Sequence, residues 1–101
     1  MTAMEKPGGP LAFAASFPPD GRYAPTAADL AARLAAAAGC GEAAAEDVRL
    51  AVDGAFRVAV AGDRPDGLSI EVSIQTSHAS FDADLSCGGE GLLHCSRPRS
   101  A

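Results

Sequence analysis

The chain reads as an α+β domain, a two-layer sandwich in which two helices pack on one face of a small antiparallel or mixed sheet. Two observations carry this expectation. Residues 27–38 and 46–60 repeat apolar side chains at helical spacing, whereas residues 68–75 and 79–86 alternate apolar and polar side chains with a period of two. A sheet with one apolar face and two helices with matching apolar stripes bury one another most economically as two layers.

Taken in order, residues 1–9 are polar, carry Gly and Pro, and are expected to be disordered. Leu11, Phe13, Ala15 and Phe17 alternate with Ala12, Ala14 and Ser16, which predicts a first strand, and Pro18-Pro19-Asp20-Gly21 stops it in a turn. Thr26 followed by Asp29 resembles a capping box at the start of the first helix. Ala27, Leu30, Ala31, Leu34, Ala35 and Ala38 form its apolar stripe, with Asp29 and Arg33 paired across one turn on the other side. Gly39 is the expected stop, and Gly41-Glu42 opens a second helix that runs to about Ala61 before Gly62. Residues 63–67 read as a turn. In the hairpin that follows, Leu68, Ile70, Val72 and Ile74, then Ala79, Phe81, Ala83 and Leu85, face inward, and Thr76-Ser77-His78 links the strands. Residues 10–95 form the single domain, and residues 96–101 are expected to be a flexible tail.

Composition excludes several classes. The chain has 101 residues, enough for one small core, with 48% hydrophobic and 21% charged residues. A net charge of −5 argues against nucleic acid, where phosphate contacts need clustered Lys and Arg. Nothing approaches the run of about 18 apolar residues that a membrane helix needs. The N-terminus lacks a signal-peptide core, and three cysteines, an odd number, suit reduced thiols. A cytoplasmic protein is the expectation.

The strongest motif runs from Glu46 to Val60. Val48, Ala51, Val52, Ala55, Phe56 and Ala59 recur at helical spacing, Asp47, Arg49, Asp53 and Arg57 keep to the wet side, and Gly54 sits at the centre. This stretch resembles the N-box helix of the anti-sigma-factor serine kinases, the bacterial branch of the GHKL (Bergerat-fold) ATPases, which runs roughly "DhxxAVxEAxxNAh" with h apolar. In that family the glutamate activates the attacking group and the asparagine holds magnesium on the ATP phosphates. Arg49-Leu50-Ala51-Val52, Ala55 and Ala59-Val60 fall in register, which places Gly54 at the glutamate position and Val58 at the asparagine position. Glycine offers no proton acceptor, and valine cannot coordinate a cation that demands oxygen ligands. Asp53 and Arg57 keep the spacing but lie about 100° round the helix. The order strand, helix, helix, hairpin is also the front half of the family's fold, so the resemblance spans roughly Leu11 to Leu93.

The family's Asp-x-Gly motif, which recognises adenine, corresponds on this resemblance to Ser86-Cys87-Gly88, with Ser86 in place of the aspartate. Gly89-Glu90-Gly91-Leu92 resembles the family's second glycine motif, which opens a further helix; the plainer reading is a glycine-rich turn into a frayed tail. Such a degenerate and truncated member is expected to be a non-catalytic regulator in a bacterial partner-switching circuit. It would bind a sigma factor or an anti-sigma antagonist of the STAS type, with no cofactor and no metal. The alternatives are a residual anti-sigma serine/threonine kinase domain that binds ATP and magnesium, and a small structural module that dimerises through the strand edge from Leu11 to Phe17.

Other constellations point less far. His78, Cys87, His94 and Cys95 have the elements of a zinc set, but adjacent His94-Cys95 is awkward for joint ligation. Glu71, Asp82 and Asp84 share a strand face and read as a solvated acidic surface suited to a basic partner. Together with Arg49, Asp53 and Arg57 they are the candidate partner-binding residues.

Overall fold

The computed structural model describes residues 11–62 and 68–99. The elements are β1 (Ala12–Phe17), a 3₁₀ turn (Gly21–Tyr23), α1 (Ala24–Ala37), α2 (Glu42–Ala61), β2 (Ile70–Thr76), β3 (Ser80–Cys87) and β4 (Glu90–Pro98). The strands form one sheet in the order β1-β2-β3-β4, every neighbouring pair antiparallel, and the helices pack against it. The architecture is α+β in two layers, and the sheet has no parallel pair among the described residues. The expectations for residues 1–9 and for the turn at 63–67 fall outside the described residues.

The core lies between the layers. From α2 come Val48, Val52, Phe56 and Ala59; from the sheet come Ile70, Val72 and Ile74 of β2 and Phe81, Ala83, Leu85 and Cys87 of β3. The alternation Phe81-Ala83-Leu85-Cys87 places every second residue of β3 inward, as the pleat requires. Phe17 at the end of β1 meets Phe56 edge to face, with ring centroids 5.9 Å apart. Helix α1 buries alanines alone, Ala24, Ala27, Ala28, Ala31 and Ala35, while Leu30 and Leu34 are half-buried.

The helix hairpin is set by glycine. Gly39, at φ +90°, ends α1: its N–H donates to the Ala36 carbonyl (3.0 Å) and the Cys40 N–H to the Ala35 carbonyl (3.1 Å), the two bonds of a Schellman cap. Gly41, also at φ +90°, is the N-cap of α2, and Glu42 follows in the first turn, where a carboxylate suits the helix dipole. Asp29–Arg33 pairs as expected, at 2.7 Å.

Several expectations are corrected. Helix α1 begins at Ala24, not at a Thr26 capping box, because the 3₁₀ turn leads directly into it; Thr26 lies within the helix, and the Tyr23 N-cap has no side-chain cap bond. The capping interaction sits one element earlier, where Asp20 accepts from the Arg22 backbone N–H and from its Nε, both at 3.0 Å. These bonds hold the Asp20 carboxyl below the usual carboxylate range, the backbone bond most of all. Strand β2 begins at Ile70 rather than Leu68.

The largest correction is at the C-terminal end. Gly89-Glu90-Gly91-Leu92 neither opens a helix nor leads into a frayed tail. Gly88 and Gly89, at φ +61° and +85°, form a two-residue turn that closes Cys87 against Glu90, and β4 runs back along β3 to Pro98. Positive φ at both positions is the geometry that matches strand twist in a tight hairpin. The register slips between Leu85 and Ser86, where Leu93 and Gly91 oppose consecutive β3 residues and Leu92 is the extra, bulged residue. Ser96 to Pro98 of the expected tail belong to this strand, and Arg99 is tied down. Its Nε donates to the Ala38 carbonyl at the end of α1 (2.8 Å) and its guanidinium to the Ser77 carbonyl in the β2–β3 turn.

That Arg99 staple joins the chain end to both layers. Arg99→Ala removes it and should lower stability by about 1 kcal/mol, which for a domain of this size is a fall of roughly 4–8 °C in Tm by thermal melting. Phe56→Ala, which empties the middle of the core, should cost about 3–5 kcal/mol.

Candidate functional site

Two surfaces carry the residues singled out by sequence, and they lie on opposite sides of the molecule. The first is the face of α2 that points away from the sheet. Counting 100° per residue, Gly54 stands opposite the buried Val52–Phe56 line, with Leu50 and Val58 about 40° to either side of it. Leu50 is 57% and Val58 71% exposed, and Gly54 is exposed between them. Towards the helix ends the same side carries exposed Ala43, Asp47 and Ala61, so the apolar stretch is limited to Leu50, Gly54 and Val58. A Cβ built on Gly54 meets nothing within 4 Å, and the residue lies within a regular helix, so neither packing nor backbone conformation inside the described protein requires glycine there.

Ion pairs border this stripe on one flank. Arg49 Nε donates to Glu46 (2.9 Å), and Arg57 Nε donates to Asp53 (2.9 Å). The Glu46 carboxyl is held below its ordinary range chiefly by that side-chain bond. Arg49 is therefore engaged with Glu46, and Asp53 with Arg57, as residues three and four apart are placed to be.

The second surface is the open face of the sheet. Glu71 stands in one cross-strand row with Ser16 and Ser86, Asp82 in a row with Gln75 and Ser96, and Asp84 in a row with Ser73 and His94. A shallow hollow of about 330 Å³ lies over Ala14, Ser16, Glu71, Ser73 and Ser86, and a second of about 410 Å³ over the bulge, bounded by Asp84, Gly91, Leu92 and His94. Asp82 accepts from the Ser80 hydroxyl (3.2 Å), and Asp84 Oδ1 lies 2.6 Å from His94 Nδ1. The bond from Asp84 raises the His94 pKa above that of a free histidine, and the Asp84 charge adds to it. These carboxylates are spread over separate rows and do not converge on one point.

The degenerate nucleotide-site positions are not brought together. Gly54 and Val58 lie on the outer side of the helix layer, Ser86 on the opposite face of the sheet, and Gly88 in the β3–β4 turn. The residue of β3's end that faces the helix layer is Cys87, buried in the core. Gly88 is needed for its turn: its φ is positive, and an added Cβ would stand 2.9 Å from Leu68 Cδ1. The four residues of the zinc set also separate. Cys87 and Cys95 are buried, His94 is on the open face, and His78 is in the β2–β3 turn; no group of three or more His, Cys, Asp or Glu is placed to hold a metal among the described residues. All three cysteines are free thiols, and burial pushes the Cys40 thiol up.

Sequence reasoning missed the Leu50–Gly54–Val58 stripe as a surface, although its signal was present: two aliphatic residues eight apart, bracketing a glycine, on the side of the helix away from Val52. It also missed the Asp84–His94 pair, which exists only because β4 is a strand. Compared with protein-family models, with curated proteins and with solved structures, the chain matches none. Among the described residues no helix is long and apolar enough to cross a membrane.

The Asp84–His94 bond sets a pH dependence. Because the folded His94 pKa is raised, the pair stabilises the fold below the ordinary histidine range, and that contribution is lost as pH rises through the raised value. An NMR titration should place the His94 midpoint above that of a free histidine, and Asp84→Asn should bring it down.

Proposed function

We propose that this chain is a non-catalytic regulatory protein that acts by binding another protein through the outward face of α2, on the pattern of a degenerate anti-sigma-factor kinase domain. The observation that carries the reading is the exposed Leu50–Gly54–Val58 stripe. Residues four apart form ridges that interdigitate with a second helix, and a glycine between two aliphatic side chains lets that helix approach closely. An interior helix glycine costs about 1 kcal/mol relative to alanine. Nothing within the described protein needs it, and close approach of a partner helix is a physical reading that accounts for it.

The same positions bear on nucleotide chemistry. On the resemblance to the GHKL family, Gly54 and Val58 replace the activating glutamate and the magnesium-binding asparagine, and an apolar surface stands where charged phosphates would sit. The end of β3 supports the same reading. Cys87 and Gly89 keep the Asp-x-Gly spacing one residue later than Ser86 and Gly88, with the first residue facing the helix layer. A thiol is a weak acceptor in place of the carboxylate that recognises adenine. The partner is then a protein presenting an apolar helix, and on the resemblance a bacterial sigma factor or a STAS-type antagonist is the first class to test. A cytoplasmic setting with reduced cysteines belongs to this reading.

Calorimetric titration with ATP and ADP, with and without magnesium, should give no saturable heat from the folded protein; micromolar, magnesium-dependent binding would overturn the non-catalytic reading. Gly54→Ala should stabilise the isolated protein by about 0.5–1 kcal/mol. Val58→Glu should leave Tm nearly unchanged, because the position is exposed, yet weaken binding to the cognate partner by about tenfold or more. If Gly54→Ala and Val58→Glu bind that partner as tightly as the natural chain, the α2 face is not the docking surface.

A further inference from the structure

The two edges of the sheet are treated differently. Strand β4 carries the features that keep an edge from pairing: a bulge at Leu92, His94 and Arg97 along its length, and Pro98 at its end. The Arg97 guanidinium also donates to the Ser96 carbonyl (2.8 Å). Strand β1 carries none of these. Ala12-Phe13-Ala14-Ala15-Ser16-Phe17 has no charge, no proline and no glycine, its register with β2 is unbroken from Ala12↔Gln75 to Phe17↔Ile70, and among the described residues it pairs with β2 alone.

Which backbone groups of β1 are left over follows from one hydrogen bond. The Thr76 N–H donates to the Leu11 carbonyl (2.9 Å), so Leu11 and Thr76 form a hydrogen-bonded pair. In an antiparallel ladder such pairs alternate with non-bonded ones. Phe13, Ala15 and Phe17 therefore bond to β2, and the N–H and C=O groups of Ala12, Ala14 and Ser16 point to the free edge. The apolar side of the strand is also incompletely covered. Phe13, Ala15 and Phe17 face the helix layer but are half-buried, and Leu11 is 41% exposed, whereas their neighbours Ile74, Val72 and Ile70 are fully buried.

We propose that β1 pairs with β1 of a second copy of this chain, antiparallel about a two-fold axis at Ala14, joining the two sheets into one. The occupant is a second copy because the edge is complementary to itself in one register. Centring on Ala14 sets Ala14 against its own counterpart and Ala12 against Ser16 of the other copy, so every free N–H and C=O of the strand finds a partner. The same register sets Leu11 against Phe17 and Phe13 against Ala15 on the helix side, covering the half-buried row. A shift by one residue would put Phe13 and Phe17 opposite the outer face, and a shift by two would bring Ala12 against Pro18, which has no N–H to give. No charge lies on β1 to oppose the approach of an identical edge. The nearest carboxylate, Glu71, lies one strand in on β2, Asp82 and Asp84 lie two strands in, and Asp20 beyond the strand end is paired with Arg22 at 3.0 Å. This inference stands independently of the regulatory reading above.

Sedimentation velocity on the full chain, from micromolar to millimolar, tests it with two variants. Ala14→Pro removes an N–H that points to the free edge and leaves the β1–β2 ladder bonds in place, as proline is tolerated on an edge strand. Ala14→Lys sets two like charges directly opposite each other at the two-fold axis. The natural chain should show a concentration-dependent dimer. Each variant should keep the native circular dichroism while raising the dimer dissociation constant by about tenfold or more, and the effect of Ala14→Lys should shrink at high salt. A chain that stays monomeric across the range, or a dimer that Ala14→Lys leaves intact, would overturn the proposal. Ala14→Lys decides the matter should Ala14→Pro fail to fold.

Discussion

The structure depends on one line of side chains, Val48, Val52 and Phe56, running down the inner side of α2. These are large and fully buried, while every residue that α1 buries is an alanine. Each fully buried Val, Leu, Ile or Phe contributes about 1.5–3 kcal/mol of apolar burial, far more than an alanine does. The hydrophobic stabilisation therefore comes chiefly from α2 against the sheet, where it lies over β3 and β4, and α1 serves as a close-fitting buttress. Small side chains let α1 approach α2 closely, and the Schellman cap at Gly39 with the positive-φ Gly41 turns the chain within the short reach this demands.

That division leaves the outward face of α2 outside the demands of the fold. A position opposite the Val52–Phe56 line has no internal neighbour to satisfy, so what occupies it reports on something other than folding. Solvent alone favours charged or polar residues of good helix propensity there, and the flanking Glu46, Arg49, Asp53 and Arg57 meet that expectation. Leu50, Gly54 and Val58 do not. Their departure from the local rule is the observation on which the proposed docking surface rests.

Much of the fold was legible in the sequence, and the rest failed for identifiable reasons. Helix α2 and the β2–β3 hairpin were legible because their apolar periods, 3.6 and 2, run unbroken over many residues. Strand β4 was not, because the bulge at Leu92 makes Leu92 and Leu93 adjacent apolar residues and erases the alternation just where the strand begins. The start of α1 was misplaced because the side-chain cap, Asp20, sits on the preceding 3₁₀ turn and leaves none at Tyr23, whereas Thr26 and Asp29 mimic one. For the candidate site, the identities at Gly54 and Val58 could be read directly. The side of the sheet taken by Ser86 could not, since a one-residue error in a strand reverses the face. The Asp84–His94 pair was hidden for a different reason: it joins residues whose proximity exists only through β4.

The two surfaces are related by geometry. A two-fold axis at Ala14 that pairs inner side with inner side stands perpendicular to the sheet, so both helix layers fall on the same side of the joined sheets. The two α2 stripes then face the same direction. In the proposed dimer, a partner presenting two apolar helices would meet both stripes at once, and the second contact would form at the effective concentration set by the first. On the two proposals together, modest individual stripes, each built on two exposed aliphatic residues and a glycine, would act as one docking surface. The unguarded edge of β1 and the unexplained glycine of α2 thus fit one design, in which association through the sheet strengthens recognition by the helices.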